Sequence, residues 1–378
     1  MGRIPNMWWK RSTRPVINFR LPEVNGWHLP LMPLILALLL AAQPARAARS
    51  VTPAAPEFPA NQAWLNGADL SLARLYKRRV VLVTFINVAS MNSVRTFPVL
   101  NTWWQRYSLS GLLIIGVHTP DFDFDADPGA VKAALKRYGV VFPVVLDNEA
   151  KIWKSYANEG WPTMYLIDHK GRIVYDRLGE GGYRAFETEI RDALAAFNGY
   201  SAPTNLPLVE DLRKKECFVA TPPAYFGTRR GRSINLNSTP EVGRDLIEAR
   251  DGETAFKGKW TLERDAARLK QDNPAQNAFA RVIFRGAQGW MLASQSGKPA
   301  KAYVKIDDYW LHAGNAGADV EWDDHDRSYV RLGPTRMFDI VKSPTDEMHE
   351  LDVFPESEES RILSFEFADF CQSPPRKE

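Results

Sequence analysis

The chain has 378 residues, 45% of them hydrophobic and 25% charged, a globular mixture with room for two domains and a targeting segment. Its 48 Lys and Arg stand against 45 Asp and Glu, and a net charge of +3 argues against nucleic acid as the main partner, because phosphate binding needs a clear basic excess. The two cysteines, Cys217 and Cys371, are too far apart for a Cys-x-x-Cys pair and too few for a four-cysteine zinc site, and the six histidines include no H-E-x-x-H, so no metal and no other cofactor is expected.

At the N-terminus, Arg3, Lys10, Arg11, Arg14 and Arg20 precede an apolar run from Leu29 to Ala42, and Ala45-Arg46-Ala47 then fits the small-x-small cleavage rule. The run holds Pro30 and Pro33 and is shorter than the roughly 20 residues a spanning helix needs. Residues 1–47 are therefore expected to be a cleaved export signal, which places the protein in the periplasm or outside the cell. Membrane attachment is expected only if that signal stays uncleaved. Residues 48–63 are rich in Pro and Ala and read as an arm.

From Trp64 the pattern alternates between strand and helix. Val80–Asn87 (VVLVTFIN) and Leu112–His118 (LLIIGVH) are continuous apolar runs, as expected of buried central strands. Ser90–Tyr107 reads as a helix with Pro98 inside it, and Asp127–Tyr138 as a helix with Asp127 as cap and Pro128 in the first turn. Pro143–Leu146 is a short strand and Ala150–Tyr156 a short helix. Met164–Asp168 and Arg172–Asp176 flank HKGR as a hairpin, and Tyr183–Phe197 closes the series. This order predicts an α/β domain with helices on both faces of one sheet. Residues 199–216 are a Pro-, Asn- and Ser-bearing linker. Beyond Cys217, short β-type runs recur between turn residues: Gly258–Glu263, Asn277–Arg285, Ala302–Asp307, Ser328–Leu332, Arg336–Val341, His349–Phe354 and Ile362–Phe367. They predict an all-β antiparallel sandwich over 217–378.

The stretches VVLVTFINVASMNSVRTFPVLNTWW, LLIIGVHTPDFDFDADPGAVKAALKRYGVVFPVVLDN and GWPTMYLIDHKGRIVYDRLGEGGY resemble the periplasmic thioredoxin-like domains of the DipZ/TlpA type. The resemblance implies a thioredoxin-like domain over 64–198, and ATPPAYFGTRRG with the strands after it resembles the β-domain that follows in DipZ-like proteins. In that family the first buried strand leads into a Cys-x-x-Cys at a helix start. Here the corresponding positions are Ser90-Met91-Asn92-Ser93. Thiol exchange needs a thiolate that forms a mixed disulfide, and a serine hydroxyl cannot form one. The resemblance also makes Trp161-Pro162-Thr163 the loop that faces the active site, with a cis bond before Pro162.

These readings lead to a non-catalytic polypeptide- or partner-binding protein of the cell envelope. Its expected docking face is Met91, Phe97, Trp161, Pro162 and Thr163, where an extended segment of another envelope protein would add to a free edge. An active thiol-disulfide oxidoreductase or peroxidase-like redoxin is the alternative suggested by the fold. A Ser90 hydrolase is disfavoured because no G-x-S-x-G elbow is present and only His118 falls near that sheet end. Ser90 is instead expected to cap its helix. The acidic run Asp121, Asp123, Asp125, Asp127 lacks the Gly and Glu of a calcium loop and reads as a solvated loop, and Asp319–Asp326 as an exposed hairpin turn. Trp290, Tyr303, Tyr309, Trp310 and Trp322 pack the β-domain or, on a third reading, form a glycan platform. Export favours oxidation, so Cys217 and Cys371, which bracket the β-domain, are expected to form a disulfide.

Overall fold

The computed structural model describes residues 52–67, 69–210, 219–231, 250–343 and 347–369. The expected export signal, Cys217 and Cys371 lie outside them. Among the described residues no helix is long and apolar enough to cross a membrane.

The first domain is a mixed six-stranded sheet in the order β1-β4-β3-β2-β5-β6. The strands are β1 (Ala63–Leu65), β2 (Val80–Ile86), β3 (Leu112–His118), β4 (Val144–Leu146), β5 (Thr163–Ile167) and β6 (Ile173–Leu178). β2 pairs parallel with β3 and antiparallel with β5, so it lies inside the sheet, and all seven of its residues are buried. This is why its sequence reads as a continuous apolar run rather than an alternating one. Helices α2 (Met91–Tyr107) and α5 (Tyr183–Asn198) contribute Phe97, Leu100, Trp103, Phe186 and Ile190 to the core cluster that also holds Val80, Leu82 and Ile86. Two further helices, α1 (Leu72–Leu75) and α4 (Lys151–Ser155), contribute Leu72 and Ile152 to a second cluster with Val81, Val83 and Phe85. Helix α3 (Pro128–Arg137) starts as predicted: the Asp127 carboxylate accepts from the Ala130 N–H at 2.8 Å, with Pro128 in the first turn. The β5–β6 turn needs Gly171, whose φ is +81° and whose missing Cβ would meet the Tyr76 ring at 2.7 Å.

The described part of the Pro/Ala-rich arm is built into this domain. Ala55 and Phe58 are buried in the second cluster, and the Ile173 N–H donates to the Pro53 carbonyl. The Glu57 carboxylate accepts from the N–H groups of Leu72 and Ala73 and so caps α1. The start of the linker is pinned as well: Arg106 donates to the Pro207 carbonyl, Arg191 to the Leu206 carbonyl, and the Val209 N–H to Glu187.

The second domain is a sandwich of two antiparallel sheets. One has the order β17-β12-β19-β10-β9, with β7 (Ala224–Tyr225) also on β19. Its strands are β9 (Trp260–Leu262), β10 (Ala267–Leu269), β12 (Gln288–Gln295), β17 (Arg336–Lys342) and β19 (Ser360–Ala368). The other has the order β15-β16-β13-β18-β11-β8, with β14 (Tyr309–Trp310) on β13. It is built from β8 (Thr254–Lys257), β11 (Phe279–Arg285), β13 (Ala300–Ile306), β15 (Glu321–Trp322), β16 (Ser328–Leu332) and β18 (Met348–Pro355). Phe226, Phe256, Phe284, Phe338, Leu351 and Phe365 fill the space between the sheets.

Candidate functional site

The buried strand β2 delivers the chain to Asn87, where it must turn into α2. The Asn87 side chain fixes that turn. Its Nδ2 donates to the Thr119 carbonyl at 2.9 Å and to the Asp125 carboxylate at 2.8 Å, and its Oδ1 accepts from the Ala89 N–H at 2.6 Å. The Asn87 N–H donates to Ser93 Oγ at 3.1 Å, and the Val88 N–H to His118 Nε2 at 3.3 Å. The Asp125 carboxylate is fully buried and also accepts from the N–H groups of Asp121 and Phe122. Burial pushes its pKa up to about 6.

Ser93 is therefore a structural acceptor, buried under the loop it ties down. Ser90 occupies the N-cap position with extended backbone, but its hydroxyl makes no capping bond, contrary to expectation. The acceptor comes from the β-domain instead. Glu366 on β19 takes the Met91 N–H at 2.9 Å, placing a carboxylate at the positive end of the helix. Glu366 is buried, and desolvation pushes its pKa up to about 7. His118 is completely buried and held down at about 3, so it stays neutral, and its Nε2 is already engaged by Val88. It is not placed to act as a base for Ser90.

Beside this helix start runs the loop of Trp161 and Pro162, whose peptide bond is cis. Trp161 is half-buried with its ring 4.7 Å from that of Trp153, and Pro162 and Thr163 are buried. The Pro162 carbonyl accepts from the Gly179 N–H at 2.7 Å. Glu180 follows, buried and pushed up to about 7, with Arg95 at 3.5 Å.

The expected docking face is largely covered. Met91 is 3% exposed and Phe97 is wholly buried in the domain core. Met91, Ala89 and Phe122 form one apolar cluster with Leu292, Met337, Leu363 and Ala368 of the β-domain, and Trp290 packs against it. The aspartate run 121–127 is not a solvated loop. Phe122 is buried at the domain boundary, and Arg230 lies 4.5 Å from its ring centroid and 3.9 Å from that of Tyr225. Arg230 pairs with Asp121 at 2.8 Å and Arg264 with Asp123 at 2.9 Å. Asp319 pairs with Arg137 of α3 and with Arg336, so part of the second acidic cluster also serves the boundary. In the β-domain, Tyr303 is buried, Trp290 and Trp310 are half-buried, and Tyr309 and Trp322 are exposed at 76% and 41%.

Sequence reasoning had no signal for Glu366, which lies 275 positions from its partner. Phe122 did have one, the Asp-Phe-Asp-Phe-Asp alternation, which reports one face turned inward; buried Asp125, of the opposite parity, did not.

Residues 51–194 match the Redoxin family. The DipZ protein of Mycobacterium bovis is 30% identical over 262 residues, covering 65% of this chain and 37% of that protein. That alignment is longer than the redoxin segment and so continues into the β-domain. The thiol-disulfide oxidoreductase YkuV of Bacillus subtilis is 25% identical over 140 residues, which is 37% of this chain and 93% of that protein. Among solved structures, a thiol-disulfide isomerase from Corynebacterium glutamicum is 26% identical with a TM-score of 0.34, covering 37% of this chain and 97% of that one. The chain thus spans little more than a third of the DipZ length. With the sheet order and the family match on record, residues 51–194 are a redoxin domain of the thioredoxin-like class, followed by an antiparallel β-domain.

Proposed function

We propose that this is an exported protein whose redoxin domain has exchanged thiol chemistry for non-covalent binding of an envelope protein or peptide segment. One observation carries the reading: Ser90 and Ser93 stand at the helix start, and the intervening Met91 N–H is held by a carboxylate of the β-domain. The names of relatives such as YkuV suggest disulfide exchange, but neither serine offers the sulfur that a mixed disulfide requires. Export is supported by the basic, apolar and small-residue order of residues 1–47. Trp161 keeps partial exposure and is the expected anchor for a partner segment.

The test has two arms. The mature protein should reduce insulin disulfides no faster than buffer, and turnover at thioredoxin-like rates would overturn the non-redox reading. Capture of a partner from periplasmic extract should weaken at least tenfold in Trp161→Ala, and unchanged capture by the folded variant would move the binding site elsewhere. A second reading, glycan binding by the β-domain, is favoured by the exposure of Tyr309 and Trp322. It predicts that the double variant Tyr309→Ala, Trp322→Ala loses co-sedimentation with insoluble polysaccharide.

A further inference from the structure

The β-domain does more than follow the redoxin domain in sequence. The outer face of β12 and β19 sits on the helix start through Leu292, Leu363 and Ala368, and Glu366 reaches the Met91 N–H. This is the face on which an extended polypeptide would dock. We propose that the β-domain is a self-docked cover of the α2 start, latched through Glu366, and that an extended polypeptide reaches the Ala89–Met91 part of the redoxin face only when this latch opens. What enters after opening rests on the polypeptide-binding reading above; the cover itself does not.

Three features make the contact openable rather than a fused core. First, two polar atoms of the docking strands, Ser364 Oγ and Trp290 Nε1, are buried without a hydrogen-bond partner. Opening gives both to water, which offsets part of the lost apolar contact. Second, Glu366 is a carboxylate taken out of water. The groups that face it are the α2 N-terminus, Asp121 and Arg230, with the Tyr225 phenol beside them. Arg230 is already paired with Asp121, so Glu366 has only partial compensation for its lost hydration. Third, the pair Arg264–Asp123 is well exposed, at 64% and 70%, and such pairs hold weakly. Among the described residues, β1–β6 share one sheet and β7–β19 form the other two, so undocking breaks no strand pairing.

The experiment uses the full-length mature chain with Cys217→Ser, Cys371→Ser and Met91→Cys, so that residue 91, buried under the β-domain, is the single reporter thiol. The rate of maleimide labelling is compared with that of a free thiol. A cover predicts labelling at least tenfold slower than the free thiol. In the added presence of Glu366→Lys, which places a positive charge against the helix N-terminus, the rate should rise at least tenfold. Glu366→Gln keeps an amide oxygen for the N–H of residue 91 and should stay within threefold of the parent. Circular dichroism verifies that each variant is folded, and if Glu366→Lys does not fold, Leu363→Asp takes its place as the opening variant. Free-thiol labelling in the Glu366 parent overturns the cover, as does an unchanged rate in the folded opening variant. A peptide arm separates the two readings. Carboxymethylated insulin B chain should bind the opened variant at least tenfold more tightly than the parent. Opening without peptide binding keeps the cover and overturns the polypeptide reading of the face. Equal binding to parent and opened variant overturns the cover.

Discussion

Glu366 and Asn87 show how single side chains define this site. The pKa of Glu366 is raised in the folded protein to about 7, above the ordinary 4.5, because burial penalises its charged form. Between those values the folded state binds more protons than the unfolded one, so stability is fully present below about pH 4.5 and falls as pH rises through about 7. Glu366→Gln removes this contribution. Thermal melts from pH 5 to 8.5 should show the variant gaining on the parent as pH rises, by on the order of 1–3 kcal/mol at pH 8. The slope should flatten without vanishing, because Glu180 and Glu350 are raised in the same direction. A parallel pH profile for both proteins would refute the assignment. Asn87→Ala strips partners from the buried Asp125 carboxylate, the Ala89 N–H and the Thr119 carbonyl at once. Urea melts should show a loss of about 2–4 kcal/mol. The two serines were legible through the family resemblance, which sets them where the Cys-x-x-Cys would stand at the end of a buried apolar strand. Glu366 was not, because its role depends on a contact across the whole molecule, and its own neighbourhood, LSFEFADF, reads as an ordinary strand with Ser364 and Glu366 alternating with apolar residues.

At the scale of elements, the redoxin helices and central strands follow from local chemistry. Asp127 and Pro128 start α3 where predicted, and the apolar runs of β2 and β3 became neighbouring parallel strands. Asp127→Ala should lower stability by about 1 kcal/mol through loss of the Ala130 cap bond, measured by the same urea melts. Phe97→Ala empties a wholly buried position between α2 and the sheet and should lower it by about 3–5 kcal/mol. Strand β12 was missed. Its sequence, QGWMLASQ, is poor in β-branched residues and carries Gly289, both weak strand signals. It is a strand because β17 and β19 pair with it on both sides, and a Cβ at Gly289 would meet Val341 and Phe367 at 3.3 Å. Tertiary pairing overrode local preference there. The loop 121–127 was misread for the opposite reason: its charges suggested water, and its two phenylalanines reported the buried side.

For the molecule as a whole, the apolar boundary cluster and the Arg230, Arg264 and Arg137 pairs couple two domains that would otherwise unfold separately. Calorimetry should show one merged transition for the parent and two resolved ones for Arg230→Asp, which loses both the Asp121 pair and the ring contacts. A disulfide between Cys217 and Cys371 would close a loop across most of the β-domain and add roughly 5 kcal/mol in the chain-entropy view. Denatured, unreduced protein should then show no reactive thiol, and two labelled thiols per chain would refute the pairing. The 275-residue separation between Met91 and Glu366 also has a consequence in time. At about 5–20 residues per second, roughly 15–55 s of synthesis separate the two. A chain exported as it is made would expose its redoxin face throughout that interval, with the helix start capped by water alone. Whatever shares the compartment has its best opportunity to bind before β19 arrives, so the sequence position of one glutamate sets the length of a window that the finished molecule no longer shows.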